Sequence, residues 1–170
     1  DSSTQSPFTG SYVADANSTV VNPLTTLTTA LVGEGKSRED AESIVTSWLG
    51  IAGGLDLANY DPIAGAAGGA SGSGSVFAAS TRVATAMKQA SAFIKFASDG
   101  AADEKIASTQ LINGLASKLA AGDMTTLGDV GAMTVVLDTV STDLGYDSFL
   151  STSDIAGAAA LIGAADELIV

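Results

Sequence analysis

The chain has 170 residues, seven basic against nineteen acidic side chains, no histidine and no cysteine, giving a formal net charge of −12. This length suits one domain with its own core, and the missing residue types exclude histidine-based triads, imidazole or thiolate metal sites and thiol catalysis. An acidic surface repels phosphate and anionic lipid, so we expect no nucleic-acid partner and no membrane insertion.

Residues 1–21 differ in composition from the rest and predict an extended N-terminal arm or a short strand. The stretch from Pro7 to Val13 is rich in β-favouring and turn residues, and such an arm is a candidate to pair with a neighbouring subunit. The arm also contains an N-glycosylation sequon at Asn17, with Asp15 two places before it. An unmodified polar loop is the alternative for this short motif.

Residues 22–50 predict a helical hairpin. Asn22 is a capping residue, and leucines follow it at helical spacing: Leu24, Leu27 and Leu31. The second helix begins after Ser37 and ends at Gly50, a residue that favours the left-handed cap. Trp48 lies on the apolar stripe of this helix, so we predict that it belongs to the core.

Glycine, alanine and serine dominate the next segment, which predicts a flexible loop over residues 64–75. Beyond it, residues 76–170 predict a four-helix portion, because apolar stripes at helical spacing recur between glycine-containing breaks. Short connections of this kind favour antiparallel neighbours. The predicted fold is therefore all-α, an antiparallel bundle of about six helices over residues 22–170 preceded by the arm.

Two features of the predicted helices have both a structural and a functional interpretation. Acidic pairs such as Asp166-Glu167 lie at helix ends, where we expect solvated or capping carboxylates, since adjacent residues on a helix do not face each other. Small residues recur near the C-terminus at four-residue spacing around Gly157, Leu161 and Ala165. Close packing in the core is the expected role of this stripe, and a self-association face is the alternative.

We expect no cofactor, with calcium as the one alternative to test, because this chain offers mainly oxygen ligands. Residues spaced as in a helical calcium loop run from the end of one predicted helix into the next: Asp143, Gly145, Asp147, the carbonyl of Phe149, Ser151 and Asp154. Ser148 stands where glycine is needed, so an ordinary loop ending in an N-cap is the alternative. A second oxygen-rich turn, with Asx turns as its alternative, contains Asp56, Asn59 and Asp61.

Residues 19–63 resemble a recurrent helical module of very large secreted repeat proteins of cyanobacteria and marine bacteria. The resemblance rests on three stretches: Val20-Val21-Asn22-Pro23-Leu24-Thr25-Thr26-Leu27, the helix from Glu42 to Gly50, and Asp56-Leu57-Ala58-Asn59-Tyr60-Asp61-Pro62. It implies a spacer or adhesive segment beside β-sandwich or calcium-binding repeats. It also implies export, surface attachment and no enzymatic activity, and it assigns no ligand residues.

The expected function is that of a non-catalytic structural or adhesive module, extracellular or at the cell surface, within a surface layer, matrix or filament. Its expected partners are further copies of itself or other surface proteins. The alternative is a helical binding module for calcium or for a small apolar molecule. An enzyme would need two carboxylates converging in a pocket, and the sequence contains no pattern that predicts this.

Overall fold

The computed structural model describes residues 11–169, which contain seven α-helices and, within that range, no strand. The helices are α1 (Pro23–Gly33), α2 (Arg38–Leu49), α3 (Pro62–Ala67), α4 (Ser73–Ala97), α5 (Glu104–Ala121), α6 (Val130–Asp143) and α7 (Thr152–Leu168), with a 3₁₀ helix at Asp147–Phe149. The predicted all-α bundle is confirmed, and short α3 is the helix beyond the six expected. Over the described residues, no helix combines the length and apolar character needed to cross a bilayer.

The ends of α1 and α2 follow from the capping residues in the sequence. The Asn22 side chain accepts hydrogen bonds from the backbone N–H groups of Leu24 and Thr25, at 2.8 and 3.0 Å. The Thr25 hydroxyl accepts the Asn22 N–H in return, which closes a capping box. At the far end of the hairpin, Gly50 adopts a left-handed φ of 67°, as its position predicts.

The glycine-rich segment is more ordered than predicted, and the loop expected over residues 64–75 is wrong at both ends. Asp61 caps α3 by accepting N–H bonds from Ile63 and Ala64, and this cap supports a helix in spite of the glycine content. α4 begins at Ser73, inside the predicted loop. Only residues 68–72 lie between the two helices, where Gly69 and Gly72 have positive φ.

A single core joins the N-terminal hairpin to the later helices. α1 packs against α4 and α5 as well as against α2, while α4 and α6 each pack against both α5 and α7. Trp48 is buried in this core, as predicted. Small residues allow close approach: a Cβ added to Gly163 on α7 would lie 3.2 Å from the carbonyl oxygen of Gly128, in the turn before α6. The hairpin therefore forms one unit with the rest of the bundle.

One of the acidic residues expected to be solvated is buried instead. The guanidinium of Arg82 on α4 donates to both carboxylate oxygens of Asp166 on α7, at 2.5 and 2.8 Å, and Asp166 is only 7% exposed. Arg82 also donates to the carbonyl oxygen of Leu49, at the end of α2. The hydrogen bond to Asp166 raises the pKa of Arg82. This ion pair links three helices, and its partners are 84 positions apart in sequence.

The described part of the predicted arm, residues 11–21, has no regular structure and lies against the hairpin. Val13 exchanges two hydrogen bonds with the Thr26 hydroxyl, of 2.9 and 3.0 Å. The N–H groups of Thr19 and Val20 both donate to the carbonyl oxygen of Ala58. These bonds join residues 13–20 to their own chain, whereas residues 1–10, with Pro7, lie outside the described residues.

Candidate functional site

The three aspartates of the predicted calcium loop do not form a ligand cluster. Asp143 ends α6, Asp147 begins the 3₁₀ helix and Asp154 lies in the first turn of α7. Asp154 accepts the Ser151 N–H and hydroxyl at 2.9 and 2.6 Å, and these bonds lower the pKa of its carboxyl. Among residues 11–169, no three acidic side chains are grouped so as to hold a metal ion. Asp154 therefore closes a capping box, and a calcium site here remains a prediction.

The second oxygen-rich turn, with Asp56, Asn59 and Asp61, forms hydrogen bonds to the arm and to the start of α3. Asn59 donates to the carboxylate of Asp56 at 2.7 Å and accepts the Thr19 hydroxyl at 2.8 Å. Asp61 is occupied as the cap of α3. Asp61 forms an Asx turn, since it accepts the N–H of Ile63 two residues on, whereas Asp56 and Asn59 bond to other side chains.

The predicted glycosylation site lies on the surface. Asn17 is exposed in a tight turn, where its backbone N–H donates to the Asp15 side chain at 2.7 Å. Asp15 is held in turn by Arg38 at 2.7 Å. The turn presents the Asn17 side chain to solvent, and its modification remains a prediction.

A groove that the sequence analysis did not identify lies between the end of α4, the 3₁₀ helix and α7. We call it the α4/α7 groove; its volume is about 590 Å³. Three large apolar side chains on its walls are mostly exposed, Phe96 at 83%, Phe149 at 72% and Leu161 at 70%. Partly buried Phe93 and Leu150 also line it and pack against the core. The groove is thus an apolar, solvent-open surface set on a rigid bundle.

Helical periodicity explains why these side chains are exposed. α4 buries Ile94, and Phe96 lies two residues further on, about 200° around the helix. α7 buries Ile162, and Leu161 precedes it on a different face. The prediction that Leu161 and Gly157 pack in the core is wrong, since both are exposed. The sequence feature that could have indicated the groove is a large apolar residue outside the buried stripe of its helix.

The rim of the groove is acidic. Asp99 and Asp154 line it, and among residues 11–169 no lysine or arginine does. Asp99 is the one non-glycine residue among those described with a positive φ, 52°. It follows α4 in a Schellman-type turn, in which its own N–H donates to the Phe96 carbonyl and that of Gly100 donates to the Lys95 carbonyl. Glycine is preferred at this position because a Cβ is strained there.

A second groove, of about 440 Å³, lies between α1, α5 and the arm. Its walls carry hydroxyl groups that already bond to backbone: Thr26 donates to Val13 and Thr29 donates to Thr25. Its large apolar side chains are Val13, which is 49% exposed, and the buried Ile112, so the more exposed apolar walls of the α4/α7 groove make that groove the stronger candidate for binding.

No protein-family model matches this chain, and comparisons with curated proteins and with solved structures find no match either. A functional proposal for the chain therefore depends on the chemistry of its own surface.

Proposed function

We propose that this chain is a non-catalytic structural or adhesive module that acts outside the cytoplasm through protein–protein contact at the α4/α7 groove. The observation that carries the proposal is the exposure of Phe96, Phe149 and Leu161 along one groove of an otherwise acidic protein. Contiguous apolar surface with a polar rim is typical of an interaction site, since isolated soluble domains seldom expose large patches of it.

The chemistry of the groove favours contact over catalysis. Its two titratable groups are Asp99 and Asp154, and the Asp154 carboxylate is engaged by Ser151 at the start of α7. The remaining walls are mainly apolar, and the groove is open to water. General acid–base catalysis needs a positioned group whose pKa lies near the operating pH. The pKa of Asp154 is lowered, which moves it further from neutral pH.

The extracellular setting is supported by the resemblance over residues 19–63 to modules of secreted repeat proteins. The absence of cysteine and the net charge of −12 accord with an exported protein that stays soluble in saline. The partners that suit this role are other surface proteins or further copies of the chain.

Surface retention in producing cells tests the proposal. We expect the wild-type protein in the cell-surface fraction and a Phe96→Ser/Leu161→Ser variant in the medium. Both positions are at least 70% exposed, so these changes should leave folding intact. Ile63→Ser is the matched control, because Ile63 is 68% exposed on α3 and does not line the groove. Intracellular wild-type protein, or equal retention of the double variant, would refute the proposal.

A small apolar ligand is the second candidate, because the volume of the groove falls within the usual 300–1,000 Å³ range of ligand pockets. Such pockets enclose roughly 70–90% of the ligand surface, which is difficult in a groove where three of the large apolar side chains are themselves at least 70% exposed. Mass spectrometry of solvent extracts from the purified protein would reveal a retained apolar compound. We expect none above the level found with the Phe96→Ser/Leu161→Ser variant.

A further inference from the structure

We propose that the α4/α7 groove binds a cationic amphipathic helical segment of another protein, an inference that rests on the proposed function and names its partner. The apolar face of that segment would lie against Phe96, Phe149 and Leu161. Its lysine or arginine side chains would reach the carboxylates of Asp99 and Asp154 on the rim.

The shape of the groove favours a helix as its occupant. The groove is an open channel whose walls include α4 and α7, two long helices that pack against each other. Amphipathic helices bind in such channels through apolar side chains spaced at i, i+3, i+4 and i+7. Gly157, on the α7 wall, has no heavy atom near the position of an added Cβ, which leaves room for a side chain of the partner.

Charge complementarity defines the chemistry of the partner. Within the described part of the chain, the rim contributes two carboxylates and no cation. Elsewhere, at least four of the seven basic residues of the chain already form ion pairs with carboxylates among the described residues: Arg38, Arg82, Lys95 and Lys118. The groove is therefore an apolar site within a field of unbalanced negative charge, which attracts a positively charged partner and speeds its association.

The same charge disfavours two other occupants. A second copy of the chain would bring another net charge of −12 to the interface, and juxtaposed like charges oppose association. An anionic membrane surface is repelled for the same reason. A cationic protein segment is the occupant for which the apolar walls and the acidic rim both contribute attraction.

The backbone at Asp99 is a second observation on the rim. A residue with a Cβ occupies the left-handed position after α4, where glycine would be less strained. Aspartate and asparagine adopt this conformation more readily than other residues with a Cβ, so the position holds a carboxylate on the rim at a small cost. In this proposal, the use of the Asp99 carboxylate is to contact a basic side chain of the partner.

A designed peptide provides the binding test. The probe is a fluorescent amphipathic helix of about 18 residues, five helical turns, with leucine on one face and lysine on the other. Its partner in the assay is the full chain. We expect saturable binding that weakens roughly tenfold or more as sodium chloride rises from about 0.05 to about 0.5 M, because salt screens exposed charges. A matched peptide with glutamate in place of lysine should not bind.

Two variants test whether binding occurs in the groove. Gly157→Gln places a side chain in the channel and should weaken binding at least about tenfold, while Gly157→Ala, which fills little space, should not. Asp99→Asn keeps a residue that tolerates the left-handed backbone but removes the charge, and it should weaken binding roughly threefold. Asp138→Asn removes one exposed charge from α6, away from the groove, and should have no such effect.

Several results would overturn the proposal. Equal binding of the lysine and glutamate peptides would mean non-specific apolar adhesion. Light scattering that shows a dimer stabilised by added salt and lost in Gly157→Gln would identify a second copy as the occupant. If Gly157→Gln abolishes retention on cells but the wild type binds no cationic peptide, the partner class is wrong and the proposed function stands. If Gly157→Gln leaves retention unchanged, the proposed function fails as well.

Discussion

The ion pair between Arg82 and Asp166 offers a direct test of how the bundle is held together. Asp166 is 7% exposed and accepts two hydrogen bonds from the guanidinium, so replacement by alanine leaves the positive charge of Arg82 with little compensation. Removing one partner of a fully buried pair typically costs about 3–5 kcal/mol. Arg82 is 21% exposed and keeps its bond to the Leu49 carbonyl, and part of its charge is therefore still solvated.

We therefore expect Asp166→Ala to lower the free energy of unfolding by about 2–3 kcal/mol, below the fully buried range. In a domain of this size, that corresponds to a fall of roughly 5–10 °C in melting temperature. Urea titration followed by far-ultraviolet circular dichroism and by Trp48 fluorescence measures the change. Coincident transitions by the two probes would justify two-state analysis.

Two further variants separate the causes. Arg82→Met/Asp166→Leu removes both charges and should recover to within about 1 kcal/mol of the wild type, because apolar residues can replace a buried ion pair. Asp123→Ala is the exposed control: Asp123 is 61% exposed, its partner Lys118 lies 3.6 Å away, and the loss should be under about 1 kcal/mol. Equal effects of Asp166→Ala and Asp123→Ala would refute the account of Asp166 as a buried, linking residue.

Three further predictions concern packing, pH and calcium. Gly157→Ala should stabilise the protein by about 0.5–1 kcal/mol, because the added Cβ meets no neighbouring atom. Gly114→Ala should destabilise it by about 1 kcal/mol, because the added Cβ would lie 3.0 Å from Val136. Urea titration measures both changes in the free energy of unfolding, and the same sign for both would contradict the packing argument. The lowered pKa of Asp154 means that its carboxylate adds stability above its ordinary pKa of 3.8, and that this stability is lost as the pH falls through the lower folded-state value. The difference in melting temperature between the wild type and Asp154→Ala should therefore shrink below about pH 4, and a constant difference would contradict the assignment. Melting temperatures in calcium and in chelator should agree, because no three acidic groups among the described residues converge. Calcium at 100 times its dissociation constant would add about 2.7 kcal/mol, so a clear rise in melting temperature would support the calcium hypothesis.

Local signals in the sequence predict much of this fold. The cap at Asn22, the left-handed glycine at Gly50 and the stripe that buries Trp48 each depend on residues within about two turns of one helix, and each is confirmed. The same reasoning failed for the glycine-rich segment, where the cap by Asp61 supports a helix that composition alone does not predict. A single sequence predicts helix caps and buried stripes because the interacting residues lie close together in the chain.

The groove and the ion pair depend on partners that are distant in sequence. Phe96 and Leu161 are 65 positions apart, and they line the same groove because α4 packs against α7. Periodicity identifies which residues of a helix are buried, but it does not say which exposed residues of two helices share a surface. Phe149 illustrates the difference: the calcium-loop spacing uses only its carbonyl, whereas its ring lines the groove.

Two aspartates show how the same residue type takes opposite roles in this acidic chain. Asp166 is neutralised by Arg82 between packed helices, so its charge is used for stability. Asp99 lies on an open rim, in a left-handed backbone conformation that favours glycine and that aspartate also adopts. A charge that the fold compensates contributes to stability, whereas a charge held on the open wall of an apolar groove is accessible to another protein. This difference supports the proposal that the protein contacts its partner at the α4/α7 groove.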